Sequence, residues 1–169
     1  DVSDSDEIYQ LLKSYKEKYK VPIYAYAQDH CASGSYYIAG AADKIFSSPV
    51  GIIGSIGVRS GTYFNIYDTL TKWGVKTLTI KEGKNKDALN PFRPWEEGEN
   101  KNIQILLGYF YNRFVDLVTQ NRPALNKEKL IEEYGANVFD APTAQSYGYI
   151  DEICSSYNDA LAALLDNAQ

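Results

Sequence analysis

Ser33 stands between Ala32 and Gly34, where an apolar run over residues 23–27 gives way, through Gln28 and Asp29, to small residues and a helical pattern reaching Ala42. A serine at a turn from strand to helix holds its hydroxyl outward, and amides of the first helical turn, including that of Gly34, can face a developing oxyanion. Such a hydroxyl is a nucleophile for acyl transfer once a base removes its proton. The other reading of the same residues is tight packing of helix on sheet, which also selects small side chains.

His30 is the single histidine in the sequence, so a Ser-His-Asp arrangement depends on it alone. It precedes Ser33 by three residues, where a path of strand, turn and helix turns it away from the hydroxyl, and it reads as a polar residue at the turn. A lysine can serve instead if it is neutral. Its pKa must then fall from ~10.4 to about 7–8, which corresponds to ~4 kcal/mol of differential destabilisation of the ammonium and requires burial. Lys81, Lys84 and Lys86 share one segment, and each is otherwise a solvated loop cation.

Elements must hold these residues in place. Asp4 with Glu7 forms a capping-box pattern, and Ile8, Leu11, Leu12, Tyr15 and Tyr19 follow at helical spacing, so a first helix is predicted to reach about Tyr19 and stop at Val21-Pro22. Residues 23–27 and 44–47 read as short strands, and the glycine-punctuated residues 51–58 read as backbone packed closely against a neighbour. Next come a predicted helix over residues 66–73 ended by Gly74, a strand over 75–80, an exposed polar loop over 81–93 and a long amphipathic helix over 95–121. Helices are also predicted over residues 126–134, 141–147 and 157–168.

This alternation implies a layered α/β arrangement, strands buried under helices, in a single domain over residues 1–169. Three or four strands against at least six helices leave the sheet undersupplied. Strands before Asp1, or a partner subunit, are expected to complete it.

The run Ala32-Ser33-Gly34-Ser35-Tyr36-Tyr37-Ile38-Ala39, followed by Ala41-Ala42-Asp43-Lys44-Ile45 and Gly54-Ser55-Ile56-Gly57-Val58, resembles the signature of the signal peptide peptidase A (protease IV) family, serine peptidases of family S49. That family usually reads Ala-Ser-Gly-Gly-Tyr-Tyr at the nucleophile; Ser35 departs from the pattern with a residue small enough to be tolerated. Similarity continues through Lys84-Asn85-Lys86-Asp87, Pro91-Phe92-Arg93, Val138-Phe139-Asp140 with Ala144, and Gly148-Tyr149-Ile150-Asp151-Glu152, so nearly the whole chain is covered.

The resemblance implies a ClpP/crotonase-like fold and a Ser-Lys dyad, with Ser33 as nucleophile, Gly34 as one oxyanion donor and Lys86 as base, Lys84 in reserve. Asp87 beside the ammonium would raise the lysine pKa, so its side chain should point away. Ser55 resembles the family's third member, a hydroxyl that holds the lysine nitrogen toward the nucleophile; its plain reading is a serine packed in a glycine-rich turn. The resemblance further implies a protease without a cofactor that cleaves residual signal peptides and other extended chains. Its expected place is the bacterial cytoplasmic membrane, with the catalytic domain on the extracytoplasmic side. Single-domain relatives form rings, here expected between tetramer and octamer, in which the lysine of one subunit can serve the serine of its neighbour. The family's second oxyanion donor, on a glycine-rich turn before the first helix, and its N-terminal membrane anchor do not lie within residues 1–169. Both are expected upstream.

Bulk composition narrows the other classes. With 169 residues, 44% apolar and 14% aromatic, the chain can build a packed core. A net charge of −5 without clustered Lys and Arg argues against nucleic acid as the main partner, and tyrosines such as Tyr36, Tyr37, Tyr109 and Tyr111 suit core or subunit packing better than base stacking. Cys31 and Cys154 fall outside any CxxC pattern, which suggests neither a disulfide framework nor a zinc site, and one histidine cannot build a multi-histidine metal centre. Two further readings share the fold: a crotonase-type acyl-CoA enzyme, for which no paired glutamates mark a site, and a catalytically inactive scaffold, encouraged by Ser35 and the missing turn.

Overall fold

In the computed structural model, which describes residues 1–167, helix α1 spans Val2–Tyr19. It begins earlier than the Asp4/Glu7 pattern suggests because Asp1 is the cap, accepting a hydrogen bond from the Ser3 amide at 2.8 Å. Asp4 falls instead in the first turn, where its charge complements the helix dipole. Lys20 ends the helix in left-handed backbone at φ 54°, and Pro22 follows as a stop.

Six short strands follow: β1 (Tyr24–Ala27), β2 (His30–Ala32), β3 (Lys44–Ser47), β4 (Ile52–Gly54), β5 (Val138–Asp140) and β6 (Glu152–Ile153). They make two three-stranded sheets. One is ordered β1-β3-β6 with all pairs parallel; the other is ordered β2-β4-β5, with β2 and β4 parallel and β5 antiparallel to β4. The connection from β1 to β3 passes through β2 and helix α2 (Gly34–Ala39), the kind of crossover that parallel neighbours require. The strand count exceeds the expected three or four because β2, β5 and β6 have only two or three residues. That length is too short for a period to show, and partners distant in sequence define them.

The core between these elements is closed by Tyr36, Ile45, Ile53, Ile56, Leu130 and Tyr149, all fully buried. Helix α2 is anchored at both of its tyrosines. The Tyr36 hydroxyl donates to the Tyr149 carbonyl at 2.7 Å, and the Tyr37 hydroxyl donates to the Asp6 carboxylate of α1 at 2.6 Å. The Tyr37 ring meets Tyr9 edge-on with centroids 5.7 Å apart and Phe114 at 5.0 Å. Helix α6 (Ala141–Tyr147) matches expectation, with Asp140 capping the Thr143 amide at 2.8 Å and Gly148 turning out at φ 89°.

By its internal packing the chain divides into two units: residues 1–57 with the chain from Phe110 onward, and residues 58–109. The first unit holds both sheets, together with α1, α2 and α6. The second carries α3 (Tyr67–Lys72) and the start of α4 (Lys101–Asn121), and none of its described residues is in a strand. The strand expected over residues 75–80 is therefore absent: Leu78 and Ile80 are 86% and 91% exposed, and alternation without a pairing partner does not make a strand. Helix α4 also starts later than residue 95, because Gly98 adopts φ 82° and the Glu99 carboxylate is taken up by the preceding turns. The expected helix over 126–134 divides into α5 (Lys127–Lys129), capped by Asn126, and a π-helical turn over Leu130–Tyr134. The last helix, α7, spans Tyr157–Asn167; Ala168, included in the expected span, lies outside the described residues.

Candidate active site

Ser33 follows the last residue of β2 and caps α2 with φ 54° and ψ −122°. A non-glycine residue keeps such a conformation only where its surroundings over-determine it. Here they do. The Ser33 amide donates to the Gly54 carbonyl at 2.9 Å, and its own carbonyl accepts from the Tyr37 amide at 2.9 Å. The side chain is exposed and makes no capping bond to α2, so the hydroxyl is presented outward as expected of a nucleophile on a turn.

Ser35 takes an unanticipated part in this turn. Its hydroxyl accepts from the Ala32 amide at 2.8 Å and donates to the Ala32 carbonyl at 2.7 Å, bridging both backbone groups of the residue before the nucleophile. Gly34 is required by packing, since a Cβ there would sit 2.6 Å from the Ser5 hydroxyl of α1.

Ser55 joins Ser33 through sheet register. Ala32 pairs with Gly54 across the parallel β2–β4 ladder, so Ser33 and Ser55 leave adjacent strand ends side by side. Ser55 also adopts φ 54°, is half-buried, and donates its amide to the Asn137 carbonyl at 2.8 Å. The close packing expected of this glycine-rich segment is present: a Cβ at Gly54 would meet the Asn137 carbonyl oxygen at 2.6 Å, and one at Gly57 would meet Ala136 at 2.6 Å.

His30 opens β2, and its Nδ1 lies 2.9 Å from Asp29 Oδ1 with both side chains exposed. Cys31, two residues before Ser33, is buried in the core, and burial pushes its thiol up to about 11, so it stays protonated at neutral pH and does not compete as a nucleophile.

Lys84 and Lys86 lie in the second unit, exposed on a turn-rich segment. The Asp87 carboxylate lies in a charged cluster. It accepts from Arg93 Nε at 2.7 Å and Asn90 Nδ2 at 2.7 Å, with Lys81 Nζ at 3.5 Å. Arg93 also reaches Glu99 through Nη1 at 2.5 Å and Nη2 at 3.0 Å, and the carbonyls of Asp87 at 2.6 Å and Pro94 at 2.8 Å. The Arg93 guanidinium, with the amides of Leu89 and Glu96, holds the Glu99 carboxyl down to about 2. Arg93 and Asn90 likewise hold Asp87 below its ordinary value. The 81–93 segment is thus more than a solvated loop, since the Asp87 and Glu99 side chains are largely buried. Arg93 stood in the family-like run, whereas nothing in the sequence separated Glu99 from Glu96 and Glu97 as its partner. Close by in the same unit, a cavity of about 360 Å³ is lined by Tyr63, Leu89, Trp95, Ile103 and Leu107.

An exposed serine on a strained turn, backed by a second serine at the end of a parallel strand, belongs to an α/β fold of the ClpP/crotonase-like class. The solved structure of a membrane-bound stomatin-specific protease is similar to it with a TM-score of 0.50 and 18% identity, covering 94% of this chain and 60% of that one. At the level of sequence, the model of peptidase family S49 matches residues 15–169, and the chain belongs to that family. A protein of Enterococcus faecium named as a signal peptide peptidase, SppA, is 36% identical over 96% of this chain and 46% of its own length. A protein of Methanocaldococcus jannaschii named as a protease is 32% identical over 86% and 46%. The chloroplastic serine protease SPPA of Arabidopsis thaliana is 29% identical over 90% and 22%. The chain spans about half the length of the first two and less of the third.

Proposed function

We propose that the protein is a serine endopeptidase in which Ser33 attacks the scissile carbonyl and Lys86, in its neutral form, takes the hydroxyl proton. The observation that carries this reading is the exposed Ser33 hydroxyl on a turn of φ 54°, with Ser55 at the neighbouring strand end. Attack forms a bond from Ser33 Oγ to the carbonyl carbon and places negative charge on the carbonyl oxygen, which accepts a hydrogen bond from the Gly34 amide in this mechanism. Collapse of the tetrahedral species breaks the C–N bond, and the lysine ammonium returns the proton to the leaving amine. Water, deprotonated by the same lysine, then releases the acyl group from Ser33. Ser55 holds the lysine nitrogen by a hydrogen bond, and Lys84 is the alternative base.

The substrates are residual signal peptides and other extended chains, whose apolar side chains call for a pocket of small and apolar residues. The site works at the extracytoplasmic face of the bacterial cytoplasmic membrane. Among the described residues no helix is long and apolar enough to cross a membrane. The protein assembles into a ring of between four and eight subunits. Lys86 is exposed. It must lose its water on assembly or substrate binding to reach the neutral state that base catalysis requires.

Labelling of the full-length protein with a fluorophosphonate tests this. Labelling that disappears in Ser33→Ala, and falls by about 10²-fold or more in Lys86→Ala, is expected. An intact oligomer that takes up no label would instead be an inactive scaffold, and labelling unaffected by Ser33→Ala would place the nucleophile elsewhere.

A further inference from the structure

We propose that Arg93 is a positioning residue for this reaction: by joining Asp87 to Glu99 it holds the turn that carries Lys84 and Lys86 in a single conformation. The inference rests on the reading of this turn as the source of the base.

Asn90 and Lys81 also meet the Asp87 carboxylate, but the backbone of the turn holds itself only loosely. The bonds from the Lys86 amide to the Gly83 carbonyl at 3.4 Å and from Asn90 to Asp87 at 3.3 Å are long, and only that from Ala88 to Asn85, at 3.1 Å, is of ordinary length. Asn85 and Leu89 both lie in left-handed backbone, at φ 62° and 58°, on either side of Lys86. Such residues revert to ordinary conformations unless neighbours prevent it. At Leu89 the restraint is visible, because its amide donates to Glu99 Oε2 at 2.6 Å. Glu99 is in turn held by Arg93, whose remaining donors fasten the Asp87 carboxylate and the Asp87 carbonyl.

Asp87 within the lysine turn and Glu99 beyond it thus converge on one planar fork. A lysine at position 93 offers donors from a single point and cannot span two carboxylates and two carbonyls together. Loss of the fork releases Glu99, through which Leu89 is held, and leaves Asp87 only Asn90 and Lys81, while the Lys86 side chain itself is chemically unaltered. The consequence is a base that samples many positions, which lowers turnover more than substrate affinity.

The full-length protein should be compared with Arg93→Lys, Arg93→Ala and Glu99→Gln, with thermal melts to establish that each is folded. Amide exchange over residues 84–89 is expected to quicken by about tenfold or more, with that of residues 110–121 unchanged. On a peptide substrate, kcat should fall about tenfold with KM altered by less than about threefold. Added ethylguanidinium should restore part of the activity of Arg93→Ala and none of that of Lys86→Ala. Should Arg93→Ala fail to fold, Arg93→Lys and Glu99→Gln carry the test. Exchange that stays slow in the folded variants, or a loosened turn with unaltered kcat, overturns the role of Arg93 alone. Full activity in Lys86→Ala and in Lys84→Ala overturns the lysine reading, and this role with it.

Discussion

The hydroxyl of Ser33 is useful only while its backbone stays at φ 54°, and Ser35 braces the residue before it. A net hydrogen bond is worth about 1 kcal/mol, and two on one hydroxyl are the difference between a firm turn and a mobile one. Ser35→Gly, which restores the residue common in the family, is therefore expected to slow fluorophosphonate labelling of Ser33 by about 5–10-fold while the protein remains folded. Ser35→Thr, which keeps the hydroxyl at an exposed position, should stay within about twofold. Equal rates in Ser35→Gly and the unaltered protein would show that the brace is dispensable. The turn at Ser33 and Gly34 was legible in the sequence from its small residues, while Ser55 drew attention through the resemblance to the family. The service of Ser35 was not legible, since its serine registers only as a departure from the family's run. Its value lies in two distances.

Among the elements, the turn anchored by Arg93 should carry its own pH signature. Glu99 is held down to about 2, and Asp87 is also held below its ordinary range, so both bind protons more weakly in the folded turn than in an unfolded one. Their contribution is complete above the ordinary carboxylate range of about 4 and is lost as pH falls through the folded values, so the turn should loosen between about pH 4 and pH 2. The Trp95 indole donates to the Asn90 carbonyl at 3.0 Å, and its fluorescence in a Trp73→Phe background reports the change. A signal flat to pH 2 would contradict it. In the first unit, Arg122 at the end of α4 pairs with Asp151 at 2.8 Å, and Asp151 also accepts the Ile45 amide at 2.7 Å. Arg122 is only 5% exposed, so Asp151→Ala strands a buried cation and should destabilise by about 2–3 kcal/mol, less than a fully buried pair because Asp151 is partly hydrated. A melting temperature unchanged by Asp151→Ala would refute this. The elements read correctly from sequence, α1, β1, β3 and α6, owe their form to local pattern and caps. Those misread depend on what lies opposite: residues 75–80 alternate but have no partner, while β5 and β6 are short and become strands only through pairing with β4 and β3.

At the scale of the whole molecule, membership of peptidase family S49 leaves one arrangement to be decided by experiment, because Ser33 belongs to the first unit and Lys86 to the second. The proposed mechanism requires Lys86 to be shielded from water, and Lys86 is exposed, so the arrangement to test is one in which a neighbouring subunit supplies the serine and covers the lysine. In a ring of head-to-tail contacts, each site then takes its serine from one chain and its lysine from the next. Ser33→Ala and Lys86→Ala are each inactive alone under this arrangement. Co-assembled in equal amounts, they place an intact serine beside an intact lysine at about one interface in four, so about a quarter of full activity should return. The measurement is peptide hydrolysis by the mixed oligomer, with size-exclusion chromatography showing that both variants have entered it. Recovery near that fraction assigns the dyad to two chains. A mixed oligomer that stays inactive assigns Ser33 and Lys86 to the same chain, and the water around Lys86 must then be displaced by the substrate.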